Sequence, residues 1–316
     1  MLIGKRVLDE EKVVKLIAKI KNKKELNELS ADFVRDQLFN YLLQEQKIVL
    51  ALSSKFNPKS AVYKQVVKAV RSKLRRAYGL FRVSEESKKR RAELEKLYQS
   101  QPGVFREESL KKVLSTNFST KERLPFYPQL YEQIFQITGK PKVILDLGCG
   151  INPFSVYWLT AILKHISKGE EDSASFHRQK LFYYGFDLSE EEVETINIFF
   201  KWWREEAKKE DFNFKGIAEV LDLFHFAKLF LLKKADIAFL WKMTDVLDRG
   251  QGHKVSEAVI KTIPSKYIIV SFPTLTMSGK KMNFPRRKWI ELLCARLCYK
   301  YEILQFSTEI FYVIKK

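Results

Sequence analysis

Asp146-Leu147-Gly148-Cys149-Gly150-Ile151-Asn152-Pro153 follows the apolar run Val143-Ile144-Leu145. An apolar run that closes on an acid and two glycines predicts a strand that turns tightly into a helix. Glycine lets the backbone approach a ligand where any Cβ would collide, and the start of the helix offers unpaired N–H groups. A merely tight strand-to-helix turn explains the same two glycines. The pattern is neither the GxGxxG of a dinucleotide fold nor the GxxxxGK[ST] of a phosphate loop, so NAD and ATP are disfavoured.

Downstream of Lys140-Pro141 the texture repeats this alternation. Strands are expected at 143–147, 182–186, 216–220, 236–240, 266–271, 301–305 and 310–314, with helical segments between the early ones. Such an order predicts an α/β architecture with a mostly parallel, doubly wound, Rossmann-like seven-stranded sheet. The last two strands are too close for a helical crossover and must pair antiparallel. The polar stretch His165 to Lys180 is read as a surface insertion.

In a doubly wound sheet, ligands sit beyond the carboxyl ends of the strands near the switch point. Asp187 closes the second strand, where a carboxylate accepts ribose hydroxyls; as an alternative it caps the helix starting at Ser189. Asp222 follows the third strand and is placed to accept from an adenine amino group, with Glu219 a weaker candidate. Three acids at the ends of three consecutive strands describe a nucleoside-binding edge.

The chain before residue 140 reads as helices. Val13, Val14, Leu16, Ile17 and Ile20 recur at helical spacing, and Ser30 is a good N-cap for a segment carrying Phe33, Leu38 and Leu42. After the break at Asn57-Pro58, a helix from Ser60 sets Val62, Val66, Val67, Val70 and Leu74 on one face, with Lys64, Lys68, Arg71, Lys73, Arg75 and Arg76 over much of the rest. An N-terminal all-α domain follows. With 57 Lys/Arg against 38 Asp/Glu the chain carries +19, which favours a polyanionic partner. Residues 1–140 hold 30 Lys/Arg against 16 Asp/Glu, an excess of 14; the remaining 27 against 22 give an excess of 5. The polyanion surface is therefore expected mainly in the N-terminal part, the alternative being a generally lysine-rich surface. No apolar run approaches the roughly 18 residues needed to cross a bilayer, the start of the chain is no secretory signal, and three scattered cysteines make no disulfide framework. A cytoplasmic protein without membrane contact is expected, as a monomer. His165, His177, His225 and His253 lack metal spacing, so no metal is expected, and Cys294 and Cys298 are read as buried.

Four stretches narrow the reading: Ser119-Thr120-Lys121-Glu122-Arg123-Leu124, the turn 146–153, Val270-Ser271-Phe272-Pro273-Thr274, and the end Ile310-Phe311-Tyr312-Val313-Ile314-Lys315-Lys316. In order and spacing the chain resembles the aminoglycoside-resistance 16S rRNA methyltransferases that modify N7 of a guanine in the decoding site. Weaker similarity reaches 29–38 and 69–79, and the insertion at 165–180 is the main departure. The resemblance implies S-adenosyl-L-methionine (SAM) as cofactor and small-subunit rRNA as partner, with a helical rRNA-binding domain over 1–115 and a SAM-dependent methyltransferase domain over 116–316. It implies Arg123 on the methionine carboxylate, Asp187 on the ribose, Asp222 with Leu223 on the adenine, and Asp146, Gly148, Cys149 and Gly150 as the turn around the cofactor. A surface ion pair of Arg123 with Glu122 or Glu132 is the plainer alternative.

Guanine N7 has an in-plane lone pair and no proton, so its methylation needs no general base, and catalysis is alignment. A base that leaves its stack needs apolar contacts in the pocket. Phe272 and Pro273, with Lys242 nearby, are placed to hold it, and Lys280, Lys281 and Met282 to engage an adjacent phosphate; core packing of Phe272 and a solvated loop are the alternatives. Lys64, Lys68, Arg71, Arg75 and Arg76 are expected to contact phosphates without reading sequence. Two rivals stay open: the same chemistry on another RNA or on adenine N1, and a non-catalytic ribosome-binding protein with this fold. Drug resistance is an implied consequence.

Overall fold

The computed structural model describes residues 2–3, 6–23, 26–27, 29–78, 84–99, 106–168, 180–248, 252–276 and 279–316. The chain forms two compact units, one of residues 1–84 with 188–190, the other of 85–187 and 191–316.

The first unit holds helices α1 (Glu10–Lys21), α2 (Ala31–Gln44), α3 (Gln46–Ser54) and α4 (Ala61–Tyr78), with a two-residue ribbon pairing Leu2–Ile3 and Arg6–Val7. Ser30 caps α2 by accepting the Phe33 N–H at 3.1 Å. The Asn57-Pro58 break ends on Ser60, whose Oγ accepts the Tyr63 N–H at 3.2 Å and starts α4. The expected apolar faces close on one another: Leu16 and Ile20, Phe33 and Leu38, and Val66, Val70 and Leu74 share one buried cluster. Each such side chain contributes about 1.5–3 kcal/mol on burial, and that burial holds these helices together.

The second unit opens with α5 (Ser84–Gln99), α6 (Arg106–Leu114), α7 (Phe118–Arg123) and α8 (Tyr127–Thr138). Compactness divides the chain at Ser84, whereas the sequence reading divided it at residue 115. The physical reason is that Leu94, Leu97, Leu110, Val113 and Leu114 are buried in the same cluster as Tyr127, Phe154 and Phe199. The seven expected strands are all present: β1 (Val143–Leu147), β2 (Lys180–Asp187), β3 (Asn213–Val220), β4 (Ala235–Trp241), β5 (Ser265–Pro273), β6 (Lys300–Gln305) and β7 (Glu309–Lys315). Their order across the sheet is β3-β2-β1-β4-β5-β7-β6, parallel except for β7, which runs antiparallel to both β5 and β6. The hairpin thus inserts its second strand beside β5. Order reverses between β2-β1 and β4, which makes the carboxyl end of β1 the switch point.

Helices α9 (Val156–Lys168) and α10 (Glu190–Lys208) follow β1 and β2. Between β3 and β6 run α11 (Phe226–Phe230), α12 (Thr244–Asp248), α13 (Lys254–Thr262) and α14 (Lys288–Arg296). Residues 169–179 of the expected insertion lie outside the described residues. Among the described residues, no helix is long and apolar enough to cross a membrane. Cys294 is buried as expected. Cys298 is not: it is exposed, with φ +57°, just past the end of α14.

Candidate functional site

The turn after β1 is fixed by main-chain hydrogen bonds. The N–H groups of Gly148 and Cys149 both donate to the Phe186 carbonyl of β2, at 2.8 and 2.9 Å. Gly148 has φ +69° and Gly150 φ +49°, a region that costs an L side chain roughly 1–2 kcal/mol. A Cβ on Gly148 would stand 2.4 Å from the Met243 sulfur, whereas one on Gly150 would meet nothing within 4 Å. The turn therefore presents bare backbone to open space at Gly150.

Asp187 is bound to that turn. Its Oδ2 accepts the Gly150 N–H at 2.9 Å, so a carboxylate at the end of β2 is oriented by the left-handed glycine of the turn. Just past the end of β3, Asp222 is buried, and its Oδ1 accepts the Phe224 N–H at 2.9 Å, holding Leu223 in a tight turn. Leu223 is buried and offers an apolar wall, while Glu219 is exposed.

Asp146 and Cys149 face the interior. Asp146 Oδ2 accepts from Asn152 Nδ2 at 2.8 Å and from the Tyr183 hydroxyl at 2.5 Å. Burial raises its carboxyl to about 6, against the lowering effect of those two donors. Asn152 in turn accepts from Tyr127 at 2.9 Å, and the Tyr131 and Ser155 hydroxyls are hydrogen-bonded at 2.6 Å. The side chains of Asp146 and Cys149, both expected at the cofactor, are thus buried beneath the turn. Burial also pushes the Cys149 thiol well up, so it is no thiolate.

The other half of the edge is ionic. Arg123 is buried and pairs bidentately with Glu309, Nε to Oε2 at 2.9 Å and Nη2 to Oε1 at 2.8 Å. Its guanidinium lies 4.7 Å above the Trp241 ring. The partner is neither Glu122 nor Glu132, as the plainer sequence reading had it. Lys242, at the end of β4, pairs with Glu122, and its Nζ is 3.4 Å from Glu309. Its backbone is left-handed, φ +54°, and its N–H donates to both Ser271 Oγ at 3.0 Å and the Ser271 carbonyl at 3.2 Å. Ser271 Oγ also bonds Glu309, which is wholly buried. A carboxylate taken out of water needs cations and donors around it, and Arg123, Lys242 and Ser271 supply them.

Phe272 is a correction. It is 1% exposed and packs edge-on against Trp289 and Tyr312, with centroids 6.0 and 5.8 Å away. Its ring belongs to the core between the sheet and α14, the alternative weighed for it from sequence. Pro273 is half-buried at the strand end, and its carbonyl accepts from Arg287 Nη2 at 3.2 Å. Beyond it the chain doubles back: Thr276 N–H meets the Lys280 carbonyl at 2.8 Å, and Met282 N–H the Thr274 carbonyl at 2.8 Å. Lys280 and Lys281 are exposed on that loop, and Met282 is half-buried.

On α4 of the first unit, Lys64, Lys68 and Arg75 are exposed. Arg71 is not a spare cation. Its Nε donates to the Ile20 carbonyl at 3.2 Å and its Nη2 to the Asn22 carbonyl at 3.2 Å and to that of Lys19, so it caps the end of α1. The Arg76 side chain lies outside the described residues.

Residues 59–313 match the model of the ribosomal RNA methyltransferase (FmrO) family. The chain belongs to this family. A 16S rRNA (guanine(1405)-N(7))-methyltransferase of Proteus mirabilis is 27% identical over 233 residues, covering 70% of this chain and 72% of its own. One from Serratia marcescens is 28% identical over 259 residues, 80% of this chain and 84% of its own. Among solved structures, the 16S rRNA methyltransferase RmtF in complex with S-adenosyl-L-homocysteine superposes with TM-score 0.66 at 22% identity, over 98% of this chain and 100% of that one. The 16S rRNA methylase RmtB gives 0.63 at 22%, over 96% and 98%. At such identity the structures speak for the fold alone. The family span takes in Arg123, the glycine turn, Asp187, Asp222, Lys242 and the β5 end, and it crosses the division at Ser84.

Sequence reasoning gave no role to Glu309, Ser271, Asn152, Tyr127 or Tyr183, and set Glu122 against Arg123 where the structure sets it against Lys242. One signal was available: Glu309 is a lone acid heading the apolar run Ile310–Ile314, and such an acid in a strand of this kind is buried against a cation.

Proposed function

We propose that this chain transfers a methyl group from SAM to N7 of a guanine in small-subunit ribosomal RNA. The observation that carries the reading is the Gly150–Asp187 pair: a left-handed glycine with open space before it, hydrogen-bonded to the acid that ends β2 at the switch point. Those residues fit a nucleoside. Asp187 would accept the ribose hydroxyls, Asp222 and Leu223 would frame the adenine, and Gly148 and Gly150 would let the backbone approach. Arg123 would meet the methionine carboxylate through Nη1 or by loosening its hold on Glu309. When bound, SAM supplies an electrophilic methyl on a sulfonium sulfur.

The residues that remain have little proton chemistry to perform. Guanine N7 offers a lone pair without a proton, so Lys242 and Pro273 at the ends of β4 and β5 orient the base and exclude water. Lys242 is paired with Glu122, and its Nζ lies 3.4 Å from Glu309. The acceptor is reached in the cytoplasm, and the exposed lysines of α4 position the rRNA through its phosphates. Resistance to drugs that contact the methylated guanine would follow.

Calorimetric titration with S-adenosyl-L-homocysteine tests the cofactor half. A binding isotherm is expected for the wild type, with affinity reduced about tenfold or more by Asp187→Ala, the loss of two hydrogen bonds to a charged acceptor. No heat of binding, or equal affinities, sinks the reading.

A further inference from the structure

Phe284 is 85% exposed, the most exposed of the large apolar side chains among the described residues. It stands on the excursion between β5 and α14, which Arg287 ties back to the Pro273 carbonyl at the strand end flanking the proposed site. Residues 279–288, Gly-Lys-Lys-Met-Asn-Phe-Pro-Arg-Arg-Lys, contain five cations and no acid. An aromatic ring in water amid cations has no reason in folding to be there.

The backbone beneath it is held. Pro285 restricts the residue before it to extended conformations. Arg287 folds back under the segment: Nη1 donates to the carbonyls of Phe284 at 3.3 Å and Pro285 at 2.9 Å, while Nη2 donates to Pro273 at 3.2 Å and meets the Met282 sulfur at 3.5 Å. The same guanidinium lies 5.3 Å over the buried Phe272 ring. Arg287 N–H donates to Tyr312 Oη at 2.8 Å, which ties the segment to the core. Arg286 is paired with Glu291 at 2.8 Å, and Lys280, Lys281 and Lys288 are exposed on the same stretch of chain. The Arg287 contacts thus hold the backbone of a cation-rich segment whose aromatic side chain is left exposed.

We infer that Phe284 is a substrate-contact residue that stacks on an unpaired base of the rRNA next to the guanine to be methylated, while Lys280, Lys281 and Lys288 take the flanking phosphates. This inference rests on the rRNA reading above. Charge complementarity selects the occupant: cations in this density disfavour a basic protein and favour a polyanion, and among polyanions RNA has π-faces to offer the ring. Extruding a target base leaves its neighbours unstacked, and an aromatic side chain repays part of that cost. Because Arg287 has already ordered the segment, little entropy is lost on contact.

Methylation of purified small ribosomal subunits by the full chain tests this. Phe284→Ala is expected to lower kcat/KM roughly 5- to 150-fold, the range of one lost base–aromatic stack. Its affinity for S-adenosyl-L-homocysteine and its melting temperature should equal the wild type's, since the ring is outside the core. Phe284→Trp should restore activity and Phe284→Leu should not, which separates stacking from mere apolar contact. The salt dependence of subunit binding should keep its slope in Phe284→Ala and flatten in Lys280→Ala/Lys281→Ala, because stacking releases no counterions. An alanine variant as active as the wild type, or a leucine variant as good as tryptophan, overturns the inference alone. A wild-type chain that methylates no subunit overturns the rRNA reading, and the inference with it.

Discussion

The two halves of the strand edge are built on different principles. On the β1–β2 side the links are shorter in sequence and come from neutral donors: Asn152 reaches Asp146 across six residues and Gly150 reaches Asp187 across 37. On the β4–β5 side they are ionic and long-range, with Lys242 to Glu122 spanning 120 residues and Arg123 to Glu309 spanning 186. The first half is a backbone template that a local stretch of chain can specify. The second exists only once the whole sheet has closed, because β7 must insert beside β5 before Glu309 meets Arg123.

The sharpest way to break this contrast is Arg123→Ala. It leaves the Glu309 carboxylate buried with its main counter-ion gone, a loss of about 3–5 kcal/mol. Denaturant unfolding should show it, with Glu309→Gln in the same chain restoring part of the stability. A variant within about 1 kcal/mol of wild type would mean that the ionic half is not structural.

Asp146 sets the corresponding test for the neutral half. Its folded carboxyl is raised from 3.8 to about 6, so the fold favours the protonated form. That contribution is fully present below pH 4 and is lost as pH rises through 6, in total roughly 3 kcal/mol. Asp146→Asn keeps an acceptor for Tyr183 and Asn152, so it should flatten stability between pH 4 and 6 and stabilise the protein at pH 7. An unchanged pH profile would contradict the assignment.

Gly148→Ala and Gly150→Ala sharpen the template itself. Both incur about 1–2 kcal/mol of left-handed strain, but only the first drives a methyl into Met243. Melting should therefore fall further for Gly148→Ala than for Gly150→Ala, and equal losses would mean that Met243 simply moves aside.

The smallest effects are expected on α4. Lys64→Ala and Lys68→Ala should leave folding unchanged and each lower the salt slope of subunit binding by about 0.7–0.9, one phosphate's worth. Arg71→Ala should do the reverse, costing stability through the α1 end it caps while sparing the slope.

These contrasts also mark what could be seen in the sequence. All seven strands, the antiparallel terminal hairpin and the caps at Ser30 and Ser60 follow from periodicity and local hydrogen bonding, which are properties of neighbouring residues. The glycine turn and Asp187 were legible for the same reason. Phe272 was not, because a strand end and a core wall carry the same apolar residue, and only packing against Trp289 and Tyr312 decides between them. Arg71 looks like its neighbours Lys64 and Lys68 until α1 is seen to end beneath it. Glu309 and Glu122 had no local signal strong enough to pair them across more than a hundred residues.

Methyl transfer itself tests the account most directly. Small-subunit rRNA treated with the full chain and SAM, then subjected to borohydride reduction and aniline cleavage, breaks wherever guanine carries an N7 methyl. A break is expected at one guanine, absent without SAM and strongly reduced with Asp187→Ala. No break, or a methyl mapped by mass spectrometry to another base or ring position, would contradict it.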